Sequence, residues 1–445
     1  MKKLICLLLA ALMMLSLFAC GASEEPAQEQ GSATQAATEG AAAAGFRVGF
    51  GRADITPEDT MDVHLAGYGD DSKRPSEGVM DYLYTTCVAI TDENGETVLL
   101  VTTDMMKMED KLAAEYRKAV EAATGIPAAR LTITATHSHS TPSLGNSYAI
   151  GSAYSNFFQE KLIEAVQDAL ADQSAAIIQV ASHDTDGRKN WVRHYTTTVG
   201  VVVGDNFETD GATDYTGHTT EADSQMQIVR FVRDDKKDIV MINWQGHPTL
   251  ASTGSSDSKA NRTLLSSDYV GPFREYVEKE DGDCLVAFYL GASGNLNSYS
   301  RITGETFNHN HRKHGEGLGA EAIEGMKKLE TIETGTLKVK NYTYPAEQPS
   351  GAIAEIEVNA IALGELAIAT VPYEMYDVNG MTVKNESPYK LTMMFTMTDG
   401  YYNYVAADYT WEYNNCYETR SCRYVKGTGE AIAADLVKTL TELKG

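Results

Sequence analysis

The strongest constraint on the fold is the irregular order of strand and helix segments along residues 46–445. "TTCVAITDENGETVLLVTT" (85–103) sets two apolar runs about Asn94-Gly95, a pair suited to a tight hairpin turn. "KLAAEYRKAVEAATG" (111–125) has helical periodicity and stops at Gly125, a residue that tolerates the left-handed helix end. Strand patterns follow at 129–136, 175–182, 225–232, 238–244 and 284–290, then at 336–344, 352–363 and 365–371. Helical patterns lie at 153–172, 268–280 (with Asp268 as N-cap), 315–330 and 429–444. Strands and helices therefore mix without strict alternation. The expected fold is mixed α/β: a single large domain with a mixed or antiparallel β-sheet core flanked by helices.

The N-terminus must be set aside before fold reasoning. Lys2 and Lys3 precede an apolar block at residues 4–18, which is shorter than the about 20 residues of a membrane span. The block ends "LFAC", and Cys20 is the expected lipidation site of a bacterial lipoprotein, with residues 1–19 as its signal peptide. An ordinary secretory signal is the alternative. Residues 20–45 are small, polar and acidic, too poor in apolar surface to fold, and are expected to form a disordered tether. The protein is thus expected to be exported and held by a lipid anchor on the outer side of a bacterial membrane.

The formal charge of −25 repels phosphate backbones, so no nucleic-acid partner is expected. Outside the export region four cysteines remain: Cys87, Cys284, Cys416 and Cys422. No CxxC pair occurs, which disfavours a thiolate zinc site. Cys416 and Cys422 bracket "YETRS" and could close a small disulfide loop, which spacing alone does not decide.

The chain holds only ten histidines, and their placement is uneven. "LTITAT" ends at Thr136 and is followed by His137, with His139 two residues on. "DIVMINW" ends at Trp244 and is followed by His247. "ELAIATV" ends at Val371 and is followed by Glu374. Imidazole and carboxylate are zinc-type ligands, and loops leaving rigid strands are where function gathers. A hydrogen-bonded loop histidine is the bland reading of each one alone. "HNHRKHGEG" (309–317) is the rival cluster, with His309, His311 and His314. Its Arg312 and Lys313 add charge unfavourable to a cation, so it is expected to be a polar entry to a helix. The lone His64, His183, His194 and His218 carry no spacing signal.

"GFGRADITP" (49–57), "ATHSHSTP" (135–142), "NWQGHPT" (243–249), "GASGNLN" (291–297), "VPYE" (371–374) and the stretch from "GYYNYV" to "CYET" (400–419) occur in one order. That order resembles the neutral ceramidases, over nearly all of residues 46–445. The resemblance implies a neutral ceramidase-like catalytic domain, a zinc amidase acting on N-acyl sphingoid bases. It implies His137, His247, Glu374 and Tyr404 as ligands of Zn2+. His139 would serve as a proton-transfer or oxyanion group. Tyr417 would stabilise charge on the amide oxygen, and Arg193 in "KNWVR" would join it, with Arg188 as competitor. Tyr402 and Tyr409 are alternatives for the phenolic ligand. The immunoglobulin-like C-terminal domain of the full ceramidases is not expected here.

The sequence departs from the family at one chemically telling position. Gly291 stands where the family carries a serine proposed as nucleophile, with Ser293 two positions on. Activated water is then the expected attacker. The expected substrate is a small-molecule or lipid amide of ceramide type. The alternatives are a zinc hydrolase of the same fold acting on another acylated amine, peptide or sugar derivative, and a non-catalytic, ligand-binding surface lipoprotein.

Overall fold

The structure, a computed structural model, describes residues 45–445 apart from 59–60, 70–72, 145–151, 187–188, 199, 201, 205–213, 254–261, 301, 303–309 and 414–415. The leader, Cys20 and the tether to residue 44 lie outside the described residues, as do Arg188 and His309. Among the described residues no helix is long and apolar enough to cross a membrane.

Two sheets carry the architecture. The larger runs in the order Cys284–Leu290, Asp238–Trp244, Gln225–Arg233, Ser174–Asp184, Arg47–Asp54, Tyr84–Thr91, Thr97–Thr103, Leu131–Ala135, and Glu330–Ile332 also pairs with Ser174–Asp184. Only its two outermost pairs are parallel; the rest of the path is antiparallel. The predicted hairpin forms, with Gly95 at φ 84° between its strands. In a flat sheet the six steps between Cys284–Leu290 and Thr97–Thr103 would hold them roughly 29 Å apart. Yet Thr102 donates to the Phe288 carbonyl at 2.5 Å and Tyr289 to the Leu100 carbonyl at 2.8 Å. The sheet must therefore curl until its two ends meet. The smaller sheet runs Leu337–Glu347, Ile353–Leu363, Leu366–Thr370, Leu391–Phe395, with its last pair parallel.

The strand period of two divides the apolar residues into separate layers. Val88, Ile90, Val98 and Leu100 point toward Ile361, Leu363, Ile368 and Met393 of the smaller sheet. There the rings of Tyr289 and Phe395 stack at 4.1 Å. The alternate residues Cys87, Ala89, Leu99 and Val101 meet Leu112 and Tyr116 of helix Asp110–Thr124 and Phe158 and Leu162 of helix Ala153–Ala171. Val358, Ala360 and Ala362 likewise meet Leu436 and Leu440 of helix Thr428–Lys444. The result is a helix–sheet–sheet–helix stack, a mixed α/β fold with helices outside. Gly49 and Gly51 let the first strand touch a helix backbone. A Cβ on either would come within 2.0 Å of the Ala169 or Ala165 carbonyl oxygen.

One sequence expectation fails locally, and one question that spacing left open is answered. Helix Val270–Asp281 is not capped by Asp268, which sits at φ 57°. Its carboxylate instead accepts from the Ala251 amide at 2.7 Å, holding the short helix Leu250–Thr253 that follows His247. Cys416 and Cys422 form no disulfide. The Cys416 thiol turns away and donates to Glu418 Oε2 at 3.0 Å.

Candidate active site

Three parallel strand pairs converge on one place. They are Thr97–Thr103 with Leu131–Ala135, Asp238–Trp244 with Cys284–Leu290, and Leu366–Thr370 with Leu391–Phe395. In open α/β sheets the space beyond the carboxyl ends of parallel strands is where ligands bind. Here the first pair runs on into Met106 and His137, the second into His247 and Ser293, and the third into Glu374, Tyr401 and Tyr404.

His137 leaves its strand at φ 68°, a left-handed value uncommon outside glycine and a recurrent mark of functional sites. The turn aims its ring inward. Its Nδ1 donates to the Met106 carbonyl at 2.6 Å, so Nε2 is the ring nitrogen turned toward the interior. His247 repeats the device, Nδ1 donating to the Ser293 carbonyl at 3.1 Å. His139 Nε2 lies 3.4 Å from His137 Nε2 and 3.1 Å from His247 Nε2. Glu374 Oε2 lies 3.4 Å from His137 Nε2 and 4.0 Å from His247 Nε2. Its other oxygen accepts from Tyr401 at 2.8 Å. His137 and His247 are fully buried, whereas His139 is 9% exposed and packs edge-on against Tyr68.

The phenol follows from strand register. Glu374–Met375 pairs in parallel with Tyr404–Val405, residue 374 opposite 404. Tyr404 therefore reaches the cluster. Tyr409 instead accepts from Asn295 at 3.3 Å, and Tyr402 hydrogen-bonds toward Asp110. The Tyr404 hydroxyl accepts from Arg193 Nη2 at 3.1 Å, and Arg193 Nε donates to Glu418 at 2.6 Å. Tyr417 is 39% exposed, with its ring edge-on to Tyr404 at 5.5 Å. All seven residues singled out in the sequence for this site stand in one neighbourhood. Tyr401 is an addition that no spacing in "GYYNYV" distinguishes from its neighbours. The rival histidines serve the scaffold. His311 bonds Asp81 at 2.8 Å, and His314 is buried within helix His311–Met326.

Electrostatics place these groups in ligand form. Burial pushes the His139 and His247 imidazoles well below their usual value, and repulsion from His137 and Arg193 adds to it. Burial alone would raise Glu374, but His137 and Arg193 outweigh it and hold the carboxyl low. The His247 imidazole, held neutral, thus faces an ionised oxygen 4.0 Å away, with neutral His139 beside it. That oxygen accepts no hydrogen bond from any described residue. Three ring nitrogens and a carboxylate oxygen gathered this closely make a pocket suited to a cation, and the nitrogen and oxygen ligand types suit zinc. The fit is therefore good for His137, His247, Glu374 and Tyr404, with His139 beside them.

Comparison with known proteins gives the family. The sequence model of the neutral/alkaline non-lysosomal ceramidase N-terminal domain matches residues 46–286, more than half of the chain and the part that carries all three clustered histidines. No curated protein matches the sequence. Among solved structures, neutral ceramidase from Pseudomonas aeruginosa is similar in fold. Its TM-score is 0.71 at 17% identity, over 90% of this chain and 74% of that one. A ceramidase complexed with C2 gives the same identity and TM-score over 90% of this chain and 75% of that one. By the span of sequence matched, the chain belongs to the neutral/alkaline non-lysosomal ceramidase family.

Proposed function

We propose that this protein is a zinc-dependent amidohydrolase that cleaves the amide of an N-acylated, ceramide-like lipid. The observation that carries the reading is the convergence of Glu374 Oε2 with the buried Nε2 atoms of His137 and His247, 3.4 and 4.0 Å away. His137, His247, Glu374 and Tyr404 would hold the metal. When bound, the ion lowers the pKa of a water and polarises the amide carbonyl. His139, the most exposed of the three rings, accepts the water's proton and returns it to the leaving amine. Arg193 and Tyr417 stabilise the charge that develops on the amide oxygen. Glu418 fixes the guanidinium of Arg193 from behind at 2.6 Å.

Water as attacker is consistent with Gly291. A Cβ there would lie 3.1 Å from Gln245 Cβ and 3.2 Å from Gln245 Oε1, so a serine would crowd this loop. The same departure from the family favours testing related substrates. Purified full-length protein should release fatty acid from a fluorescent short-chain ceramide, and a metal chelator should stop it. Cleavage of other acylated amines with ceramide untouched would move the substrate class. Zinc binding without turnover on a broad amide panel would sink the enzyme reading. In this proposal a lipid on Cys20 holds the catalytic domain outside the cytoplasmic membrane, near its substrate. Cys20→Ser should then release active protein from the membrane fraction.

Placement of His139 can be tested separately from metal binding. Gly67 lies at φ 115°, and a Cβ there would come within 2.8 Å of His139 Cβ and Cγ. Gly67→Ala should displace that ring first, since the three atoms nearest the added Cβ all belong to His139. Turnover should fall by about 10- to 100-fold, the usual cost of a misplacement near 1 Å, while zinc content stays at the parental level. A parallel loss of zinc would show that His139 is a ligand and not a proton carrier.

A further inference from the structure

A second cluster of donors lies behind Arg193. His194, Cys416 and Glu418 are buried at 0%, 1% and 0% exposure. His194 Nε2 lies 3.2 Å from Glu418 Oε2, Cys416 Sγ lies 3.0 Å from the same oxygen, and sulfur and nitrogen are 4.0 Å apart. A triangle with those sides has a point about 2 Å from each corner, close to the zinc bond lengths of roughly 2.0–2.3 Å for N, O and S ligands, and closing the 4.0 Å side by about half an ångström gives tetrahedral angles. We propose that His194, Cys416 and Glu418 form a second metal site, selective for a borderline-soft dication such as zinc.

Connectivity supports it. Without metal, Glu418 and Cys416 outweigh burial and hold the His194 imidazole up to about 9, so a dication entering here displaces protons from the ring and the thiol. Glu418 uses its other oxygen, Oε1, for Arg193, so the metal and the guanidinium need not compete for one lone pair. The Tyr376 hydroxyl is 4.0 Å from Cys416 Sγ, and the rings of Tyr376, Tyr409 and Tyr413 surround His194, which shields a thiolate site from solvent. The ligands also flank the candidate active site in sequence. His194 follows Arg193, and Cys416 and Glu418 enclose Tyr417. An ion here would pin both segments at once, as a structural metal does. In its absence the thiol and imidazole would both hydrogen-bond to Glu418 Oε2, a weaker clamp.

Cobalt distinguishes the two sites, because only the second offers sulfur. The full-length protein, stripped of metal and titrated with Co2+, should develop a thiolate-to-cobalt charge-transfer band of one cobalt per chain, complete by two equivalents. His137→Asn should keep that band. Cys416→Ser should abolish it and lower the zinc content by one equivalent. His194→Gln should weaken the cobalt affinity for this site at least tenfold. Circular dichroism of each variant identifies any that fail to fold, and the parental titration is decisive without them. Absence of the band in the folded parent at saturating cobalt, or its survival in Cys416→Ser, overturns the second site. Neither result touches the first, whose ligands contain no sulfur.

Discussion

His137→Asn and Glu374→Ala should each leave a folded protein with one zinc fewer than the parent and turnover lower by on the order of 10³-fold or more. The magnitude follows from removing several kcal/mol of charge stabilisation at about 1.4 kcal/mol per tenfold in rate. Asparagine is the informative replacement at 137 because the backbone stands at φ 68°. It tolerates that conformation better than alanine, so folding strain is kept out of the result. Its shorter amide cannot reproduce the imidazole's span between the Met106 carbonyl and the centre. Glu374→Ala removes the carboxylate oxygen that faces His137 and His247, together with the acceptor of the Tyr401 hydroxyl. His183→Asn is the control. That ring pairs with Glu321 at 2.9 Å, takes no part in the cluster, and should leave zinc and turnover unchanged. Metal analysis and initial rates on the three proteins decide the matter. Full zinc in both site variants would discard this ligand set.

The convergence of His137, His247 and Glu374 was legible because each follows a strand buried on both faces. Such strands appear as continuous apolar runs, and the first polar residues beyond them stand out. The mixed α/β class and most helix and strand positions were legible for a similar reason. The layering was not. When both faces of a strand are apolar, the pattern does not say which face meets a helix and which meets another sheet. Val88 and Ala89 differ in partner but not in character. Tyr404 was reachable from the sequence only through family resemblance, since the pairing of residues 374 and 404 separates it from Tyr401 and Tyr402. The second cluster left no trace at all. His194 and Cys416 are separated by 222 residues, and a histidine without a neighbour of its kind looks like any loop polar group. The small loop bracketed by Cys416 and Cys422 suggested a disulfide, but Cys416 is taken up by a partner the spacing could not reveal, the Glu418 carboxylate.

Arg274→Met should cost about 3–5 kcal/mol of stability, the range for breaking a buried ion pair by removing one partner. Arg274 projects from helix Val270–Asp281, and its two terminal nitrogens grip both oxygens of Asp104, one of them at 3.0 Å. The side chains are 4% and 0% exposed, so water cannot replace the lost partner. Asp104 also accepts from the Tyr84 amide at 2.9 Å and from the Thr136 hydroxyl at 3.4 Å. These neutral donors leave most of its charge uncompensated once the guanidinium is gone. Methionine fills a similar volume, which keeps a cavity out of the comparison. For a folded body near 400 residues the unfolding entropy makes 3–5 kcal/mol a fall of roughly 4–6 °C in Tm, readable by calorimetry at fixed scan rate. The change should reach the candidate site as well. Asp104 immediately precedes Met105 and Met106, whose carbonyls hold the His137 amide at 2.8 Å and ring at 2.6 Å. Weaker zinc retention should therefore accompany the lower Tm. A loss below about 1 kcal/mol would place the pair in the class of solvated ion pairs and would remove it as the brace behind His137.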